Sequence, residues 1–239
     1  MSKPIIFCDF DGTVTKKDNI VNIMRQFAPP EWEKWKDDVL SRSVSIQEGV
    51  GNMFALLPSS LQQEITRFVL ENAVIREGFS EFVQFTKEQR IPLYIVSGGM
   101  DFFVNPMLEG FDLISGVFCN EADFSEDKIK IHWPHKCDEK CSNQNCGCCK
   151  PAIIRNISKD DTYVIVIGDS VTDLEAAKCA DTVIARDYLA EKCEEQSIPY
   201  RAFETFYDCI TVLEGLLQRD QNTIDEVGEP NELRFNSTS

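Results

Sequence analysis

The 239-residue chain carries 40 acidic against 24 basic side chains, a formal charge of -16, with an ordinary hydrophobic fraction of 43%. That length fits one core domain with a modest insertion, and the acidic excess argues against nucleic acid or an anionic membrane surface as the main partner. No apolar run approaches the roughly 20 residues of a membrane span, and the opening MSKPII does not read as a signal peptide. The expected setting is a reducing cytoplasm, where clustered thiols among the ten cysteines point to metal more than to disulfides.

Residues 5–8 form a continuous apolar run, the pattern of a strand buried on both faces of a parallel sheet. The run ends in Asp9, Asp11, Gly12 and Thr13, at the edge where open α/β sheets bind ligands. Two carboxylates so close need a cation or a proton between them. An acidic loop that caps a helix is the plainer reading.

From Asp18 to about Asn72 the apolar spacing predicts four short amphipathic helices. They cover 20–27 behind an Asp18-Asn19 cap, 31–40, a third opened by Ser45 and running through Phe54 and Leu57, and 61–70. So many helices without a strand predict an inserted α-helical cap at 16–76, with the α/β core built from 1–15 and 77–218.

Residues 77–90 return as a helix, 92–96 as a second buried strand ending in Ser97-Gly98-Gly99, and 101–108 as a helix. Alternation at 117–123 and 129–133 predicts a β-hairpin. The stretch from His135 to Pro151 is too rich in Cys, Asn and Lys for regular structure. A third buried strand at 163–167 runs into Gly168-Asp169-Ser170. It is followed by a helix at 174–179, a strand at 182–185, an edge strand at 202–203 and a helix at 206–217. A poorly packed polar tail is expected at 219–239. Strands alternating with helices predict a doubly wound parallel, Rossmann-like sheet. The turns after Asp9, Ser97 and Asp169 then converge if their strands are neighbours.

In order along the chain, Asp9-Phe10-Asp11-Gly12-Thr13, Ser97-Gly98, Lys150 and Gly168-Asp169-Ser170-Val171-Thr172-Asp173 resemble the four motifs of the haloacid-dehalogenase-like superfamily. The helical insertion resembles the cap of its phosphoserine-phosphatase-like branch. This resemblance implies a phosphomonoester hydrolase in which Asp9 is the nucleophile and Asp11 the general acid, then base. It also implies a phosphate cradle of Ser97, Gly98 and Lys150, and magnesium on Asp9, the main-chain carbonyl of Asp11 and Asp169, with Asp173 in support. Lys128, Lys130, Lys136 and Lys140 lie in the same interval as Lys150. Lys150 is preferred because Pro151 suits the first turn of a helix at 152–157, which puts the lysine on the loop entering it. Asp173 reads equally well as a helix cap.

Cys137, Cys141, Cys146, Cys148 and Cys149 hold enough thiolates for a structural zinc but lack paired C-x2-C spacing, and adjacent Cys148 and Cys149 do not easily face one ion. Free thiols or a reducible disulfide loop are the other readings. His132 and His135 could add a ligand. Because the cluster abuts Lys150, its expected work is to set the loop that carries that lysine.

Phosphoserine phosphatases hold their amino acid with a cap glutamate and arginine; Asp18 and Met53 stand near those places here. Loss of the arginine removes a carboxylate partner, and a thioether suits an apolar tail. Met24, Phe27 and Met53 are therefore candidates to face the substrate, with ordinary packing inside the cap an equal reading for each. The FCDFDGT opening, the SGGMDFFV stretch from Ser97 and the Cys-rich run are similar to the phosphatases of methionine salvage. That similarity implies a small phosphorylated metabolite, a sulfur-containing enol phosphate, as substrate. Three rivals stand beside this reading: a phosphatase for another small phosphoester such as phosphoserine, a sugar phosphomutase, and a metal-binding protein with a silent site.

Overall fold

A computed structural model describes residues 3–227, with side chains described as far as Gln218. Strand β1 (Lys3–Cys8) lies at the centre of a seven-stranded sheet of order β4-β3-β2-β1-β5-β6-β7. Its partners are β2 (Leu93–Met100), β3 (Gly116–Asp123), β4 (Lys130–His132), β5 (Thr162–Gly168), β6 (Thr182–Ala185) and β7 (Tyr200–Ala202). Every pairing is parallel except β3 with β4. The apolar run of β1 is continuous because each face of the strand is buried in a different core. Ile6 and Cys8 enter the larger one with Ile95, Ile165 and Ile167, while Ile5 and Phe7 join Val164 and Val166 on the other side. This is the expected doubly wound fold.

Between β1 and β2 lie α1 (Asn19–Phe27), α2 (Trp32–Leu40), α3 (Ile46–Ala55), α4 (Gln62–Asn72) and α5 (Phe79–Glu88). The caps are those expected: Asp18 accepts from Val21 N at 2.9 Å and Ser45 from Glu48 N at 3.1 Å. The chain leaves for the first four of these helices and returns at one point, where Thr15 and Ile75 form an antiparallel bridge. The remaining helices are α6 (Asp101–Met107), α7 (Lys150–Ile157), α8 (Leu174–Ala177), α9 (Asp187–Glu195) and α10 (Phe206–Val227). Among the described residues, no helix is long and apolar enough to cross a membrane.

Several elements differ from expectation. Strand β2 does not stop at Val96; it continues through Ser97-Gly98-Gly99 to Met100, with a register shift between Val96 and Met100. Strand β3 is more than a hairpin arm, because its first half pairs with β2 before Glu121–Asp123 turns to β4. Helix α9 is an element that apolar spacing did not predict. Helix α7 begins at Lys150 itself, so the lysine is helical and not on the preceding loop. Helix α10 runs past Leu217 to Val227, into the stretch expected as a tail; residues 228–239 of that expectation lie outside the described residues.

Candidate active site

Because β1 lies between β2 and β5, the C-terminal ends of these three strands are neighbours, and Asp9, Ser97 and Asp169 meet at one sheet edge. Asp9 continues the ladder, its N–H donating to Ile167 O at 2.9 Å. Residues Phe10–Val14 then make one wide turn, closed by Thr15 N on Phe10 O at 2.9 Å. Gly12 sits in this turn at φ 89°, and a Cβ there would collide with the Asp169 carboxylate.

Asp9 is 5% exposed, and one of its oxygens pairs with Lys150 Nζ. Its other oxygen, Oδ2, is buried with no hydrogen-bond partner in the protein. Lys150, itself 4% exposed, also donates to Asp173 Oδ1 at 2.5 Å. Asp173 takes the helix-capping role that is one of its two sequence readings, and it also pairs with Lys150. Its Oδ2 accepts from Ser170 N at 3.0 Å, Ser170 Oγ at 3.0 Å and Asp169 N at 3.2 Å, closing a capping box, while Oδ1 takes the lysine. Asp169 accepts from Thr13 Oγ1 at 2.8 Å. Carboxylate oxygens of Asp9, Asp169 and Asp173 lie within 4.8 Å of one another.

So much buried negative charge is costly. Burial raises the Asp9 carboxyl well above its ordinary range, with Lys150 opposing and Asp173 and Asp169 adding to the rise. Burial and then Asp173 push Asp169 up to about 7. Burial works against the Lys150 charge, yet Asp173 and Asp9 outweigh it and hold the ammonium above its usual value. A single lysine does not neutralise three carboxylates. The unpartnered Asp9 oxygen and this oxygen-rich donor set fit a hard divalent cation such as magnesium.

Asp11 does not join that group. Its carboxylate turns toward α1, where Oδ1 accepts from Asn19 N at 3.1 Å and Asn19 Nδ2 at 2.6 Å, and Oδ2 faces Ser97 Oγ at 3.5 Å. Burial, then the charges of Asp18 and Asp9, raise its pKa well above the carboxylate norm. Ser97 is fully buried, and its Oγ accepts from Gly99 N at 2.8 Å. A Cβ at Gly98 would meet nothing within 4 Å, so that backbone face is open. A Cβ at Gly99 would come to 2.6 Å from Asp11 Oδ2, so the close approach to a carboxylate falls on Gly99.

Three supporting residues do not read as site residues in the sequence, where Asn19 reads only as part of a helix cap. Asn19 orients Asp11. Asn120 on β3 donates to Gly98 O at 2.9 Å and so braces the bulged strand. Arg76, 6% exposed, gathers the carbonyls of the Asp9 turn: Nε donates to Thr13 O at 2.7 Å, Nη2 to Gly12 O at 2.5 Å and Thr15 O at 3.4 Å, and Nη1 to Glu204 O at 3.2 Å.

Four of the five clustered cysteines converge. Sulfurs of Cys137, Cys141, Cys146 and Cys149 lie within 4.8 Å of one another, and neither His132 nor His135 is in the group. A crevice of about 410 Å³ reaches from Cys146 and Gln144 past Lys150 to Arg42 and Ser43, on the turn between α2 and α3. Met24 and Met53 do not line it; at 0% and 5% exposure they are buried in the larger core, and Phe27 packs edge-on against Phe68.

Residues 6–178 match the haloacid dehalogenase-like hydrolase family, and the chain belongs to it. The 2-hydroxy-3-keto-5-methylthiopentenyl-1-phosphate phosphatase of Geobacillus thermodenitrificans is 58% identical over 89% of this chain and 96% of its own length. The protein of the same name from Bacillus velezensis is 55% identical over 89% of this chain and 91% of its own. Phosphoserine phosphatase from T. onnurineus superposes with a TM-score of 0.66 over 89% of this chain and 94% of its own, at 18% identity, a likeness of fold.

Proposed function

We propose that this haloacid dehalogenase-like hydrolase is a magnesium-dependent phosphatase of methionine salvage, which hydrolyses 2-hydroxy-3-keto-5-methylthiopentenyl-1-phosphate to inorganic phosphate and the acireductone. The observation that carries the reading is the 58% identity, held over 89% of the chain, to a protein of that name. The site chemistry agrees with it.

Asp9 is the nucleophile: Lys150 holds one of its oxygens and leaves the other without a protein partner. A carboxylate oxygen attacks phosphorus, the bond from phosphorus to the substrate oxygen breaks, and Asp11 delivers its proton to that departing oxygen. Burial favours the protonated form of Asp11, the form that donates, and Asn19 fixes the carboxyl's direction. Asp11, now ionised, takes a proton from the water that attacks the aspartyl-phosphate, and phosphate leaves with Asp9 restored. Ser97 Oγ, the open backbone face at Gly98 and the Lys150 charge receive the phosphoryl oxygens.

Asp9, Asp169 and the main-chain carbonyl of Asp11, with Asp173 in support, would hold magnesium. Its double charge, when bound, offsets the phosphate and lets the clustered carboxylates stay ionised. The thiol cluster is a separate, structural metal site in this reading. The ten cysteines, all free, fit a reducing cytoplasm. Residues 16–76 act as a cap, supported by Arg42 and Ser43 lining the crevice that holds Lys150.

A phosphate-release panel tests the reading, with the salvage enol phosphate beside phosphoserine and a sugar phosphate. The enol phosphate is expected to be preferred roughly a hundredfold in kcat/KM, the scale at which a fitted apolar pocket discriminates. A preference for phosphoserine, or transfer to the sugar in place of release, overturns it.

A further inference from the structure

We propose that Cys137, Cys141, Cys146 and Cys149 bind one tetrahedral soft cation, zinc by preference, and that this ion fixes the start of α7 and with it Lys150. The inference deepens the reading of the cluster as a structural metal site and does not depend on which phosphoester is cleaved.

The spacing of the sulfurs carries the argument. Cys141 Sγ lies 3.7 Å from Cys146 Sγ and 3.6 Å from Cys149 Sγ. Zinc–thiolate bonds of about 2.3 Å give a tetrahedron with edges of about 3.8 Å, whereas a disulfide brings sulfurs to about 2.05 Å. The thiols therefore stand at the spacing of a tetrathiolate centre. Cys148 takes no part, since its sulfur donates to Phe118 O at 3.8 Å. Cys137, Cys141 and Cys146 all direct their thiols at one carbonyl, Asn143 O, at 3.3, 2.7 and 3.0 Å, and binding an ion would release the thiol protons.

Composition makes the same point. Residues 137–149 contain no Val, Leu, Ile, Met or aromatic side chain. A loop whose one anchor in an apolar core is Cys148 holds little shape by burial, and a bound metal supplies the cross-link. What this loop holds is specific. Cys149 is the residue before α7, its N–H donates to His135 O at 3.0 Å, and the next residue is Lys150. Asp138 binds Arg155 of α7 at 2.7 and 2.5 Å. At its other side the loop touches α3, where Gln47 N donates to Asn145 O at 3.2 Å. The cluster thus ties α3 to the helix that carries Lys150.

The test uses the full chain, reduced and purified without chelator. Elemental analysis after exchange into magnesium buffer should find close to one zinc per chain. Cobalt(II) added to the metal-free protein should give the intense sulfur-to-metal charge-transfer and ligand-field bands of a tetrahedral tetrathiolate. Cys148→Ser should keep that spectrum, and Cys146→Ser should lose it and weaken zinc binding by more than the 10–100-fold that an outer partner costs. Removing zinc and restoring magnesium should raise KM for nitrophenyl phosphate by roughly tenfold with a smaller change in kcat, as expected when a phosphate-binding lysine loses its support. No zinc, no cobalt bands and freely titrating thiols overturn the site. Zinc that can be removed without moving KM overturns its link to Lys150. Cobalt spectra are read whether or not a phosphoester turns over, so a failure here is distinct from a failure of the phosphatase reading.

Discussion

Lys150→Met isolates what one buried ammonium does for the site. Methionine nearly matches the lysine stem in volume, so packing is kept while the charge is lost. Asp9 and Asp173, at 5% and 1% exposure, are then left without their shared cation. Removing one partner of a buried ion pair costs roughly 3–5 kcal/mol. In a chain of this size that lowers Tm by roughly 6–20 °C, at 2–4 °C for each kcal/mol. The loss must also depend on pH. Asp9 is already displaced upward from its ordinary 3.8, and without Lys150 it rises further. A carboxyl that has to enter the fold protonated costs about 1.4 kcal/mol for each pH unit above its unfolded value. Wild-type Asp9 already bears part of this cost, so the variant's deficit is only what the further rise adds, growing with pH by at most about 1.4 kcal/mol per unit until it reaches the cost of breaking the pair. The sign is therefore that the variant's deficit is large at pH 8 and shrinks toward pH 5. Urea midpoints of both proteins in EDTA, at the two pH values, measure it. An equal deficit at pH 5 and pH 8 would mean that Lys150 acts only by packing, and the electrostatic account would be wrong.

Asp9→Asn should abolish phosphate release while leaving far-UV circular dichroism unchanged; substantial turnover removes Asp9 as nucleophile. Asp11→Asn should cost roughly 10²–10⁴ in rate on the natural class of substrate and less on nitrophenyl phosphate, whose leaving group needs little protonation; an equal loss on both counts against the acid role. Arg76→Met should destabilise by about 2–4 kcal/mol, because the buried carbonyls of Gly12 and Thr13 lose a charged donor, and should lower kcat through the displaced Asp9 turn. Arg76→Lys, keeping one donor, should recover part of both, and a Tm equal to wild type for Arg76→Met would refute the clamp.

The parts of the site that were legible in the sequence are those that work locally. Asp9, Ser97 and Asp169 each end or interrupt an apolar strand, and a parallel sheet delivers such positions to one edge. Arg76, Asn19 and Asn120 were not legible, because each acts on another segment and two of them on backbone carbonyls, which leave no mark in residue type. Ser97-Gly98-Gly99 looked like a turn because small residues mark turns; only pairing with β3 shows them as a bulge within β2. Helix α9 escaped notice because Leu189 and Cys193 are its only buried residues, too sparse for a periodic signal. Of the two readings of Met24 and Met53, the structure shows packing in the core. A thioether has the same sequence pattern whether it faces a ligand or a core, and here both are enclosed in the core.

Adjacent Cys148 and Cys149 looked unable to serve one ion, and the structure resolves that objection by separating them. Cys148 packs into the smaller core with Ile5, Phe7, Val164 and Val166, while Cys149 belongs to the thiol cluster with Cys141. The pair therefore straddles the boundary between an apolar core and a polar loop, immediately before Lys150. Ile153 and Ile154 of α7 are buried in that same apolar core, so the body of the helix is held against β1 and β5 by burial. Burial extends through Lys150, Pro151 and Ala152 of the first turn, but the residues before it have no anchor in an apolar core except Cys148. Lys150 is in that first turn and has to hold two carboxylates at once. Its placement needs a second constraint on the N-terminal side, and Cys149 is the residue positioned to supply it.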